Sequence, residues 1–252
     1  MKILLTNDDG VEAPGLQALS ESLDHVLGLR DLRSRCEVRV VAPNRCRSEC
    51  GHSLEAKRPL LVEQVRDGWH CVDGTPVDCV RVALQAMNYP ADLVISGINA
   101  GANLGVNLLV SGTFAAAREA SLQGVPAMAV SHYRRPGVPK EWAHTPQWLE
   151  QTIGDFLDTA ILFERNHSLG LAPLWNVNLP ATEMPGDQVP PRVHCAVDRK
   201  PLDRQGRIGE DGSVQFELDF HARPRESGRD VDHCFSGSIT VSHVDPHFGL
   251  GD

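Results

Sequence analysis

Short apolar runs, each closed by glycine, proline or asparagine, alternate with amphipathic stretches through much of the chain. Ile3-Leu4-Leu5 is the first of them and predicts a buried strand. After Pro14, Leu16, Leu19, Leu23 and Val26 recur at helical spacing, and residues 37–42, closed by Pro43, predict a second strand. Thr75-Pro76-Val77-Asp78 has the form of a capped helix start, with a hydroxyl at N-cap, proline at N1 and an acid at N3, and the helix is expected to run to about Met87. Residues 92–96 and 126–131 predict further strands. Residues 114–122 form an alanine-rich helix, and Trp148, Ile153, Phe156 and Leu157 mark another over about 145–163.

Strand and helix alternate in this way over about residues 1–165, which predicts an α/β fold. The expected architecture is three-layered and Rossmann-like, a mostly parallel sheet with helices on both faces and right-handed crossovers. Loops that follow successive strands then gather on one edge, so Asp8, Asp9, residues 44–48 and residues 96–103 are expected to meet there. Beyond about residue 166 the texture changes. Residues 175–180 predict a strand, a proline-rich connection follows through Pro191, and the alternating segments 214–220 and 238–242 predict hairpin strands. There is no internal repeat and no long linker. One domain over 1–252 is expected, a core of about 1–165 with a β-rich C-terminal extension of about 166–252 suited to packing on the main sheet or to exchange between subunits.

Composition narrows the function. With 41% hydrophobic and 23% charged residues the chain has ordinary globular composition, and its net charge of −9 leaves no basic surplus for a nucleic-acid duplex. Opening directly on a core strand, with no signal-like stretch and no apolar run of membrane-spanning length, it is expected in the cytoplasm and away from membranes. An odd count of 7 cysteines in a chain of this size suits a reducing compartment. Cys46, Cys50 and His52 form the one cluster, and a zinc site there lacks a fourth ligand at a recognisable spacing.

The candidate chemistry centres on Asp8 and Asp9, which fall where the first strand stops and Gly10 breaks the chain. Adjacent carboxylates repel unless a cation or proton lies between them, so a metal site is one reading and a solvated Asp-Gly turn the other. The loop from Gly97 to Gly105 is too rich in glycine and asparagine for regular structure and allows close backbone approach to a ligand. Ser111-Gly112-Thr113 opens the alanine-rich helix, either as a phosphate cradle or as a plain N-cap. Asp78 is better explained as a cap than as a catalytic acid, and His52 as a structural histidine than as a phosphate ligand. No Gly-x-Ser-x-Gly elbow supports a serine hydrolase built on Ser48, Ser96 or Ser111.

These motifs, in this order, resemble the SurE (survival protein E) family of metal-dependent 5′/3′-nucleotidases and acid phosphatases over nearly the full length. The matching pieces are TNDDG from Thr6, VVAPNRCRS from Val40, GHS from Gly51, GTPVDCV from Gly74, SGINAGANLG from Ser96, SGTFAAA from Ser111 and NVNLP from Asn176. The resemblance implies one divalent ion, Mg²⁺ or Mn²⁺ by the oxygen donors, held by Asp8, Asp9, Ser48 and Asn99. It implies hydrolysis of nucleoside 5′(3′)-monophosphates by a metal-bound water that Asp8 or Asp9 orients or deprotonates, with Asn103, Ser111, Gly112 and Thr113 holding the phosphate. It further implies a homodimer or homotetramer assembled partly through the extension.

Departures from the family pattern cluster near the same loops: Asn44, Glu49, Cys50, Ala102, Asn107, Val110 and the closing Thr240-Val241-Ser242. All four presumed metal ligands are kept. Two other readings stand beside the hydrolase, a catalytically silent or specialised paralogue acting on another phosphate ester, and a phospho-receiver switch. The second needs a phosphate-accepting aspartate after a middle strand, where this chain has Ser96-Gly97-Ile98-Asn99.

Overall fold

The computed structural model describes residues 1–138, 140–165, 171–181, 188–202, 205–217 and 220–247. In chain order the elements are β1 (Lys2–Thr6), α1 (Pro14–Leu29), β2 (Glu37–Pro43), β3 (Val62–Arg66), β4 (Trp69–Val72), α2 (Pro76–Arg81), β5 (Leu93–Asn99), α3 (Gly112–Leu122), β6 (Ala127–His132), α4 (Thr145–Arg165), β7 (Leu174–Leu179), β8 (Arg192–His194), β9 (Gln205–Ile208), β10 (Val214–Glu217), α5 (Asp230–Phe235) and β11 (Ile239–His243).

Nine strands form one sheet in the order β3-β4-β2-β1-β5-β6-β7-β11-β8. Its centre is parallel, with β1 between β2 and β5, and β6 between β5 and β7. Successive side chains on a strand point to opposite faces, so β1 serves two cores. Ile3 and Leu5 pack with Leu16, Leu19 and Leu23 of α1 and with Ile153 and Phe156 of α4. Leu4 packs on the other face with Val80 of α2 and Ala116 and Ala117 of α3. Each large apolar side chain buried this way contributes roughly 1.5–3 kcal/mol. The alanine face of α3 lets that helix sit close to the sheet, which fixes where its first turn points.

The three-layer α/β fold agrees with the sequence, and strands β1, β2, β5, β6 and β7 lie where expected. Helix α2 is capped as predicted, Thr75 accepting from Asp78 N, and after Arg81 it continues as a π-helical turn over Val82–Ala86. Two expectations change. Residues 238–242 do not form a hairpin: β11 enters the main sheet, antiparallel to β7 and parallel to β8, because its alternating apolar side chains complete the core beyond β7. A hairpin does occur at β10, paired with β9, while residues 218–219 of that segment and residues 182–187 of the proline-rich connection lie outside the described residues. The antiparallel pair β3–β4 at the far edge is an addition to the sequence reading.

Candidate functional site

Asp8 and Asp9 follow β1 directly, at the carboxyl edge of the parallel strands, where crevices of open α/β sheets form. The turn is built by Asn7, whose Oδ1 accepts from Gly10 N while its Nδ2 donates to Gly10 O. This double bond turns the chain at once, and the two carboxylates project in different settings. Asp8 is 4% exposed, and Thr113 Oγ1 donates to its Oδ1 at 2.6 Å. Asp9 is half-buried, and its Oδ2 accepts from Ala100 N at 3.2 Å. Arg47 N donates to Asp8 O at 2.7 Å, which draws the loop after β2 against the pair.

The loops after β1, β2 and β5 and the start of α3 therefore converge, as the topology required. Gly97 lets β5 run past β6, since a Cβ there would lie 2.3 Å from Val130 O. Gly112 permits a close approach to Asp8: a Cβ would lie 2.9 Å from Asp8 Cβ and 3.0 Å from both Asp8 Oδ2 and Cys50 Sγ. Cys50 thus walls the site beside Asp8, and burial first, then the Asp8 charge, raises its thiol above the ordinary cysteine range.

Burial pushes the Asp8 carboxyl up to about 6, against the pull of the Thr113 hydrogen bond, and the charge of Asp9 raises it further. A buried carboxylate beside a second one is short of positive charge, and an oxygen-ligated cation fits that deficit. The rest of the oxygen set is consistent with this. Asn99 donates its Nδ2 to Gly101 O at 2.8 Å, which leaves Oδ1 for a ligand. Ser48 is one residue past Arg47, exposed, with its Oγ 2.9 Å from Cys46 Sγ. Among the described residues no group of three His, Cys, Asp or Glu side chains could hold a metal, so any ion here depends on the serine and asparagine oxygens as well.

The phosphate-cradle residues divide by role. Ser111 is the N-cap of α3 and accepts from Phe114 N at 3.0 Å. Thr113 is committed to Asp8, so its hydroxyl supports the carboxylate. Backbone N–H groups of a first helical turn have no intrahelical acceptor; that of Thr113 is turned to the Asp8 carboxylate alongside its hydroxyl, which leaves that of Gly112 for an anion. Asn103 is held in a cage the sequence reading missed. Its Nδ2 donates to Ser131 Oγ at 2.8 Å and its N to Asn178 Oδ1 at 2.9 Å, while its carbonyl accepts from Asn176 and Asn178. The signal available was Asn-Val-Asn at 176–178, two polar residues on one face of a buried strand. His52 turns away: its Nε2 meets Glu119 Oε2 at 2.9 Å and its Nδ1 accepts from Arg118 Nε at 3.2 Å. Asp78 accepts from Thr75 N and Glu55 N and is structural.

Among the described residues no helix is long and apolar enough to cross a membrane. A family model, Survival protein SurE, matches residues 3–199. A Nostoc sp. protein provisionally named 5′-nucleotidase is 36% identical over 244 residues, covering 97% of this chain and 99% of that one. The 5′-nucleotidase SurE of Pelobacter propionicus is 52% identical over 132 residues, 52% of this chain and 50% of its own. The crystal structure of SurE from Aquifex aeolicus superposes with a TM-score of 0.74 at 27% identity, covering 98% of this chain and 94% of that one. With the same sheet, the acidic pair after its first strand and a family match over most of its length, the chain belongs to the SurE family.

Proposed function

We propose that this chain is a divalent-metal-dependent phosphomonoesterase that hydrolyses nucleoside 5′(3′)-monophosphates to nucleoside and phosphate. The observation that carries the reading is the buried Asp8 carboxylate, held by Thr113 and raised by the neighbouring charge of Asp9, at the edge where the β1, β2 and β5 loops meet the start of α3. Asp8, Asp9, Ser48 and Asn99 would hold one Mg²⁺ or Mn²⁺ ion. When bound, such an ion makes water more acidic and offsets the charge on the phosphoryl group. Thr113 fixes Asp8 Oδ1, and Oδ2 would be the oxygen offered to the ion. Asp9, the more accessible carboxylate, orients the attacking water and takes its proton. The N–H of Gly112, at the start of α3, with Asn103, binds the non-bridging oxygens, and the caged carbonyl of Asn103 keeps that residue from drifting as charge develops. The substrate is a small ester, not a nucleic-acid duplex.

Phosphate release from a panel of nucleoside monophosphates and p-nitrophenyl phosphate, with Mg²⁺ or Mn²⁺ against EDTA, tests this directly. Release that EDTA and Asp8→Asn both abolish is the expected result. No release from any ester, with metal binding intact, would make the chain a silent binding protein. We also propose a homodimer or homotetramer joined through the extension, supported by Ile208 and Phe216 of the β9–β10 hairpin, which are 77% and 73% exposed. Light scattering that gives a monomer overturns the assembly alone.

A further inference from the structure

Beside the phosphate loop lies a group of rings for which the hydrolytic chemistry has no use. Tyr133, just past β6, stacks on Phe235 at the end of α5, centroids 4.5 Å apart and planes 13° from parallel. His221 lies 5.5 Å from Tyr133, and its Nδ1 is hydrogen-bonded to the Tyr133 hydroxyl. The Arg225 guanidinium stands 5.3 Å from the Phe235 centroid, with Asp232 Oδ1 3.8 Å from its Nε. With Arg135 and Ala181 these residues line a cavity of about 200 Å³.

The cavity and the candidate site share one loop. Asn99 and Asn103 belong to the hydrolytic side, while Leu104 and Ala102 of the same loop pack against the Tyr133 cluster. Ser131, which receives the Asn103 amide, is two residues before Tyr133 and so on the same face of that strand line. A phosphate held by Asn103 and the start of α3 therefore has this cavity as a neighbour.

The lining selects a ligand class. Tyr133 is buried while His221 and Phe235 are part-exposed, and part-exposed rings and guanidinium planes stack on flat π-systems. Arginine offers donors only, so it matches a ring that carries acceptors. The volume suits one planar ring system and excludes a polymer.

We propose that Tyr133, His221, Phe235, Arg135 and Arg225 form the subsite for the nucleobase of the leaving nucleoside. This rests on the phosphomonoesterase reading above. It makes the base a source of binding energy remote from the bond that breaks, which is how an esterase with a general phosphate centre comes to prefer nucleotides.

The test pairs removal of the base with removal of the subsite. Steady-state constants are measured for adenosine and guanosine 5′-monophosphate and for ribose 5-phosphate, in the wild type and in His221→Ala, Arg225→Ala and the double variant, all with Mn²⁺. Wild type is expected to favour a nucleotide over ribose 5-phosphate in kcat/KM, and the double variant to lose about 10-fold of that preference, mainly through KM, as expected for weakened base stacking. Equal losses for nucleotide and ribose 5-phosphate, or no preference in the wild type, overturn the subsite while the hydrolase stands. Should the wild type hydrolyse none of these esters, the hydrolase reading fails and calorimetry with free adenosine and guanosine decides the cavity. Binding weakened about 10-fold in the double variant supports it, and absence of nucleoside binding overturns it.

Discussion

Asp8 is positioned by one hydroxyl and one missing methyl group. Thr113 holds its Oδ1, and Gly112 leaves room for its side chain, since a Cβ there would stand 2.9 Å from Asp8 Cβ. Gly112→Ala must push Asp8 or Cys50 aside. Overpacking of this kind costs about 1–3 kcal/mol, and, on the proposed reading, displacing Asp8 costs far more in rate. The variant is expected to remain folded by circular dichroism and to lose about 100-fold in kcat/KM. The carboxyl of Asp8 also sets a pH dependence. Its folded value of about 6 lies above the ordinary carboxylate value of 3.8, so the metal-free protein draws stability from the neutral form. That contribution, about 3 kcal/mol at most, is complete below the unfolded value and is lost as pH rises through the folded one. A divalent ion reverses the balance by favouring the charged form. The rise in Tm on adding Mn²⁺ is therefore expected to be larger at about pH 7.5 than at about pH 5, and the difference to vanish in Asp8→Asn. A metal-induced rise independent of pH would show that Asp8 does not contact the ion.

At the scale of the element, α2 shows a carboxylate whose whole occupation is structural. Asp78 is buried and accepts from Thr75 N, Thr75 Oγ1 and Glu55 N, so it ties the start of α2 to the chain that returns from the site loops. Asp78→Ala strands those N–H groups and is expected to lower stability by about 2 kcal/mol, with kcat per folded molecule unchanged. Urea unfolding together with active-site-normalised rates measures both. The cap was legible because Thr-Pro-Val-Asp states its own geometry within four residues. The parallel strands were legible for a related reason, since β1, β5 and β6 are covered on both faces and read as continuous apolar runs. Pairs β3–β4 and β7–β11 were not. Strand β3 is exposed along its length and carries no alternation to read, and β11 finds its antiparallel partner more than sixty residues back in the chain. At the site, Asp8 and Asp9 announced themselves as adjacent charges. Ser131, Asn176 and Asn178 did not, because a polar residue on a buried strand shows its purpose only when the asparagine it cages is placed beside it.

Across the whole molecule, the extension is bound to the site loop through buried charge. Asp230 accepts from Gly105 N at 2.9 Å and from Asp198 N at 2.7 Å, and burial raises its carboxyl above the usual range. Arg223 is 3% exposed and donates to Asn107 Oδ1 at 2.8 Å and to Leu104 O at 3.3 Å. Asp198, fully buried, receives Glu226 N and Lys200 N. These groups span residues 198–230 on one side and the loop of 104–107, between Asn103 and Ser111, on the other. Strands β7 and β11 lie in the same sheet as β1, so among the described residues one sheet runs from core into extension. Removing one partner from a buried ionic group costs about 3–5 kcal/mol, because the others stay buried without compensation. Asp230→Ala is accordingly expected to lower stability by about that amount in one cooperative urea transition, with tryptophan fluorescence and far-ultraviolet circular dichroism coincident. Phosphate affinity should weaken with it, since Gly105 loses the acceptor that sets the path from Asn103 to the start of α3. Two separated transitions would show instead that the extension unfolds by itself, and the buried charges would then serve its docking rather than the shape of the phosphate loop.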